Sequence, residues 1–202
     1  MMNQQFQKGN GYSRGGVMGF AAVALVFMFV FILKSSWADT AGTNPPDEDG
    51  QMEFLMGVDD RFSDISFPTY NRSGIEACAN DDGKPVIFLF SSAACSHCEW
   101  AGEIFDFIVK YYVASGQIEA HHYDVHTGDD LLTEEIETVI PSAHLQIKEH
   151  GDPEGLVPYF NFSCKYERIG NSSERGDDPV GEATEMRQVI ETLIQVFSEA
   201  IE

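Results

Sequence analysis

The sequence predicts an α/β domain, a mixed sheet with helices on both faces, carried behind an N-terminal transmembrane helix. Three observations carry this. Residues 15–33, GGVMGFAAVALVFMFVFIL, run for 19 residues without a charge. From residue 83 onward, short runs of β-formers alternate with longer runs whose apolar residues recur at helical spacing. The charge is also split along the chain. Residues 1–34 carry only Lys8, Arg14 and Lys34, so all 33 acids, against nine of the 12 Lys and Arg, lie beyond residue 34 and give that part a net charge of −24.

At about 1.5 Å rise per residue, an apolar helix of this length nearly matches a hydrocarbon core of ~30 Å. Basic residues precede it and the chain turns acidic after it. The positive-inside rule then makes 1–14 a cytoplasmic tail and 15–34 an anchor in the cell membrane, with the remainder outside. Ser36-Trp37-Ala38 has the small-x-small pattern of a signal-peptide cleavage site, but the apolar run is longer than a usual signal core. Either reading exports the domain. Residues 35–51, SSWADTAGTNPPDEDGQ, are rich in Pro, Gly and acids and read as an acidic linker. Residues 52–202 are left as one folded domain. Its acidity repels nucleic acid and anionic membrane surfaces, which argues against a DNA or RNA partner.

Within that domain, MEFLMGV and DISFPTY in 52–82 fit a short strand or a turn equally well. Lys84-Pro85 then leads into VIFLF, 86–90, a buried strand. EWAGEIFDFIVKYYVASG follows as a helix, with Trp100, Ile104, Phe107, Ile108 and Tyr111 as its apolar stripe and Gly116 closing it. IEAHHYDV, 118–125, reads as a second strand. DDLLTEEIETVI predicts a helix burying Leu132, Ile136, Val139 and Ile140. Pro141 interrupts it, and a shorter helix runs to about His150. LVPYFNFSCKYERIG reads as a strand and its hairpin partner. Met186, Val189, Ile190, Leu193, Phe197 and Ile201 mark an amphipathic C-terminal helix.

Between the first strand and the first helix stands SSAACSHCEW, with Cys95 and Cys98 flanking His97. Such a pair is a redox couple, a structural disulfide or half of a metal site. A structural bond between residues three apart closes almost no loop and stabilises little. A zinc site, or a metallochaperone using Cys95, Cys98 and His97, is the alternative reading. Its remaining ligands would have to come from HHYDVH, where His122, Asp124 and His126 share a strand face at period two. The strand–pair–helix context favours redox use. It places Cys95 at a helix N-terminus, where unpaired N–H groups and the helix dipole favour a thiolate. His97 adds a donor or positive charge beside that sulfur, and Cys98, one turn in, is placed to resolve a mixed disulfide.

Residues 83–202 resemble the thioredoxin-like family, on KPVIFLF-SSAACSHC followed by an amphipathic helix and on GLVPYFNF, 155–162. The resemblance implies a thioredoxin-like mixed sheet flanked by helices. It also implies a cis-proline facing the pair, Pro158, with Val157 before it as the backbone that pairs with a substrate chain. The chain departs from family reductases: Ala94 precedes the pair, Ser96-His97 fill it, and Leu89 stands where a buried acid is usual. Exported disulfide oxidases and isomerases are similar in favouring His before the second cysteine, and bacterial periplasmic oxidases in the valine before the cis-proline. In the family's sheet the strand after the cis-proline runs antiparallel to the one feeding the pair, which brings Cys164 towards Cys78 and implies a structural disulfide between them. Of three sequons, at Asn71, Asn161 and Asn171, that at Asn161 falls in a strand and is a poor acceptor. The expectation is an extracytoplasmic thiol–disulfide oxidoreductase, an oxidase or isomerase by bias. Cys95, Cys98 and His97 do the chemistry, Val157 and Pro158 bind substrate, and the partners are exported protein thiols or disulfides. No organic cofactor and no metal enter it.

Overall fold

The computed structural model describes residues 52–55, 57–171 and 178–201. The tail, anchor and linker expected over 1–51 lie outside the described residues. Among those described, no helix is long and apolar enough to cross a membrane.

The elements are β1 (Glu53–Phe54), a 3-10 turn (Asp59–Phe62), β2 (Asn71–Arg72), β3 (Cys78–Ala79), β4 (Val86–Ser91), α1 (Ser96–Ala114), β5 (Glu119–Asp124), α2 (Ser142–Gly151), β6 (Tyr159–Phe162), β7 (Tyr166–Ile169) and α3 (Pro179–Ile201). Five strands form one mixed sheet in the order β2-β7-β6-β4-β5, parallel only between β4 and β5. β1 and β3 form a separate antiparallel pair. The architecture is α/β, a mixed five-stranded sheet flanked by helices.

Period-two alternation in β4 builds a core on each face of that sheet. Ile87 and Leu89 join Phe160, Phe162 and Tyr166 under the apolar sides of α1 and α3. Phe88 and Phe90 point the other way, among Tyr123, Tyr159, Ile147 of α2 and the two sulfurs of Cys78 and Cys164. The α3 face is the one predicted: Met186, Val189, Ile190, Leu193 and Phe197 are all buried. Arg168 of β7 lies over the rings of Tyr70 and Phe160 and pairs with the fully buried Glu182 of α3.

Two expectations are corrected. No helix spans 130–140. Ile136 and Val139 are 85 % and 75 % exposed, and only Ile140 of the predicted stripe is buried. Local side chains capture the backbone instead. Asp130 Oδ1 accepts from the N–H groups of His122 and Leu132, at 3.0 and 3.1 Å, and Asp129 Oδ1 accepts from that of Glu137 at 3.0 Å. The stripe predicted on α1 is also rotated. Phe107 and Tyr111 are 73 % and 71 % exposed, while Ala101, Phe105, Ile108, Val109 and Tyr112 face the sheet. This helix is apolar almost all round. The small residues Ala101 and Gly102 let one side approach closely, and that side wins.

The α1 terminus is as expected. Gly116, at φ 69°, donates to Val113 O and Gln117 donates to Tyr112 O, so a left-handed residue satisfies the last carbonyls. The β6–β7 hairpin turns through Ser163 and Cys164, both at positive φ. Asn161 Oδ1 steadies that turn by accepting from Cys164 N–H at 2.8 Å, and Asn161 is fully buried, in keeping with its being a poor glycosylation acceptor. Ser163 N–H donates to Val86 O, and Cys78 N–H to Ser163 O. The start of β4 and the end of β6 are therefore neighbours, and Cys78 and Cys164 are joined in a disulfide.

Candidate functional site

β4 delivers the chain to a tight turn, Ser92 to Ala94, before α1 begins. The turn is fixed from two sides. Cys95 N–H donates to Ser92 O at 3.0 Å, and Ala93 N–H donates to Asp124 Oδ2 on the neighbouring strand at 3.0 Å. Burial works against the charge of Asp124, yet the backbone N–H groups of His126, Ala93 and Thr127 hold its carboxyl below the usual range. Asp124 is thereby a fixed anionic clamp on the segment that presents the cysteines.

Cys95 is the N-cap of α1. Its sulfur accepts from Cys98 N–H at 3.2 Å, and its S–H reaches Val157 O at 3.8 Å. The sulfur thus takes up one of the N–H groups that a helix N-terminus leaves without an intrahelical partner. Cys95 is half-buried and Cys98 buried, both as free thiols. Burial first, and then the hydrogen bond with Cys95, pushes the Cys98 thiol up to about 12, the Ser92 backbone opposing and the Asp124 charge adding to it. The two sulfurs are thus unequal: one is half-open and accepts a helix N–H, the other is enclosed and holds its proton.

The Val157–Pro158 bond is cis, and Val157 presents its carbonyl to Cys95. Those predicted residues come together. His97 lies in the first turn of α1 with an exposed side chain, and its carbonyl accepts from Asn171 Nδ2 at 2.7 Å. Cys78 and Cys164 are fully buried on the opposite face of the sheet, away from the pair. Among the described residues, no group of three or more His, Cys, Asp or Glu side chains is arranged to hold a metal ion. His122 and Asp124 do share a strand face, but His126 lies beyond the strand's end and donates its backbone N–H to Asp124.

Sequence reasoning did not find a partly buried polar line beside the pair. A cavity of about 410 Å³ is lined by Cys95, Cys98, Gly102, Ser91, Asp106 and His122, and also by Glu99, Glu103 and Asp124. In it, His122 Nε2 meets Ser91 Oγ at 2.8 Å and His122 Nδ1 meets Asp106 Oδ1 at 2.8 Å. One signal was available. Cys98, Gly102 and Asp106 recur every four residues, so one side of α1 carries a thiol, a gap and a carboxylate in a row.

Comparison with protein-family models, curated proteins and solved structures finds no match.

Proposed function

We propose that this chain is a membrane-tethered, extracytoplasmic thiol–disulfide oxidoreductase of thioredoxin-like type. The observation that carries the reading is a single juxtaposition. Cys95 caps a 19-residue helix, takes the Cys98 N–H on its sulfur, and faces the carbonyl that precedes a cis-proline. In this reading Cys95 is the sulfur that exchanges with a client and Cys98 resolves the mixed disulfide. His97 supports the Cys95 thiolate from the rim. Val157 offers its backbone to an extended client segment, and Pro158 removes a competing N–H and keeps that backbone free. The acidic exterior and the charge step around 15–34 support an address outside the cell membrane, with exported thiols or disulfides as clients. The histidine before Cys98 and the leucine at 89 bias the pair towards oxidation or isomerisation.

The test is trapping. The purified full-length Cys98→Ser variant, incubated with glutathione disulfide, should accumulate a one-to-one mixed disulfide on Cys95. Failure of Cys95 to form it, with the protein folded, would sink the reading.

A further inference from the structure

The hydrogen-bonded line Asp106–His122–Ser91 has the connectivity that activates a serine nucleophile: carboxylate to one ring nitrogen, hydroxyl to the other. Ser91 itself is an unpromising nucleophile. It is 4 % exposed at the end of a central strand, where no bulky acyl group can reach it. The group in the same cavity that must lose a proton is Cys98. It belongs to the wall that Ser91, His122 and Asp106 also line, and the backbone of Ser92, the next residue, faces its sulfur.

Three features place the imidazole for that task. His122 is the parallel partner of Leu89, a fully buried apolar residue, so β4 offers no base of its own at this level. The ring packs on α1 at Gly102, one turn beyond Cys98, so closely that a Cβ there would lie 2.9 Å from His122 Cε1. One turn further, Asp106 only accepts hydrogen bonds when ionised, which fixes the ring proton on Nδ1 and leaves Nε2 to accept from Ser91. The faces around the ring are accounted for: Asp106 and Gly102 from α1, the edge of Phe105, Ser91 from β4, and Leu131 closing the cavity, with Glu99, Glu103 and Asp124 the other charges.

We infer that His122, oriented by Asp106 and connected through the Ser91 hydroxyl and cavity solvent, is the proton acceptor for Cys98 when it resolves a mixed disulfide. The inference rests on the oxidoreductase reading above. The Cys98 S–H bond breaks and its proton passes to Nε2. The Cys98 thiolate attacks Cys95 Sγ, and the Cys95–client S–S bond breaks. The client leaves with the electron pair as a thiolate, to which the imidazolium returns the proton. In this step Cys98 sulfur is oxidised and the departing client sulfur reduced; over both steps the cysteine pair gives two electrons and the client disulfide becomes two thiols. Read backwards, the same path protonates Cys98 when a client thiol opens the Cys95–Cys98 bond. Asp106 acts through His122 and is a positioning residue.

An aromatic disulfide that releases one coloured thiolate per step separates the events on the reduced full-length chain. The first release reports attack by Cys95, the second attack by Cys98. His122→Gln should leave the first release unchanged and slow the second by about 10²-fold near neutral pH. The wild-type second rate should level off as pH rises. The variant's should keep climbing by about tenfold per pH unit, because its proton must leave to solvent, and added imidazole should restore part of it. Asp106→Asn, on a partly exposed carboxyl, should keep the fold and slow only the second release, by about tenfold. Equal second rates with the same pH profile in His122→Gln and wild type would overturn the inference while leaving the oxidoreductase reading standing. Absence of the first release in the wild type would overturn both.

Discussion

The molecule carries two pairs of cysteines, and almost everything about them is opposed. Cys78 and Cys164 are 86 residues apart, fully buried on the α2 face of the sheet and bonded to each other. Cys95 and Cys98 are three apart, stand at the start of a helix on the opposite side, and are free thiols beside a solvent-reaching cavity. The first pair closes a long loop, the condition under which a disulfide constrains the unfolded chain most. The second closes almost none, so its bond has little structural worth and is open to exchange. Sequence separation and burial suit one pair to stability and the other to the chemistry proposed for it.

The largest effect that tests this division falls on the exchanging pair. Cys95→Ser should abolish formation of mixed disulfides with a small disulfide, whereas Cys98→Ser should accumulate them, each read by mass spectrometry of the intact chain. Iodoacetamide should modify Cys95 before Cys98 near neutral pH, because Cys98 is enclosed and holds its proton. Faster labelling of Cys98 would reverse the two roles.

The bonded pair answers to the opposite measurement. Cys78→Ala/Cys164→Ala should lower the unfolding free energy by up to about 4–5 kcal/mol on the chain-entropy account. Denaturant midpoints would measure this, and the exchange rate of the folded fraction should stay at the wild-type level. Mild reductant should leave this disulfide intact in the native protein, because both sulfurs are wholly enclosed. A double variant as stable as the wild type would mean that the loop is already pinned by β1, β3 and the backbone bonds of Cys78 and Ser163.

How much of this the sequence showed depended on the kind of interaction. The strand feeding Cys95, the β6–β7 hairpin with Pro158 and the α3 stripe were legible because each rests on apolar period or on one residue with a unique backbone. The 130–140 segment was misread because its apolar residues happen to fall at helical spacing. What decides its path is Asp129 and Asp130 seizing backbone N–H groups, which no period reports. Residues 52–82 resisted for a related reason: their strands are two residues long and lean on a disulfide partner far along the chain. At the site, Cys95, Cys98, Val157 and Pro158 were legible as a motif. The Ser91–His122–Asp106 line was not, since its members come from three elements separated by 31 and 16 residues.

The same contrast between faces runs through one dipeptide of β5. His122 points into the cavity lined by Cys95 and Cys98, while its neighbour His121 points to the α2 face and between the carboxylates of Asp130 and Glu119, at 2.7 and 2.9 Å. Burial works against its charge, but those two partners prevail and lift it to about 9. A proton bound more tightly in the folded state stabilises the fold below the ordinary value near 6.5, and that contribution is lost as pH rises through about 9. His144 acts at the other end. Burial and the His121 charge push it to about 4, so its contribution is present above 6.5 and fades as pH falls towards 4. Stability should therefore decline on the alkaline side, on the order of 1–3 kcal/mol from His121. His121→Gln should flatten that limb without touching exchange kinetics. An unchanged alkaline limb would show that the ion pairs are not what carries it.

The smallest change is the most pointed, because it touches only the exchanging side. Gly102 sits in the middle of α1, where glycine costs a helix about 1 kcal/mol relative to alanine. Gly102→Ala recovers that amount through the backbone. The new methyl group would sit 2.9 Å from His122 Cε1, and this ring is no loose side chain that swings aside, being held by Ser91 and Asp106. Overpacking of this kind costs about 1–3 kcal/mol, so the backbone gain offsets part of it and the net loss should be at most about 2 kcal/mol. The displaced ring lengthens one of its two hydrogen bonds, and the proton path proposed for Cys98 is broken there. Gly102→Ala should then slow the second coloured release and spare the first, in a protein that stays folded with its Cys78–Cys164 bond unaltered. If instead it melts early and resolves at the wild-type rate, Gly102 serves packing alone, and the histidine beneath the pair is part of the core.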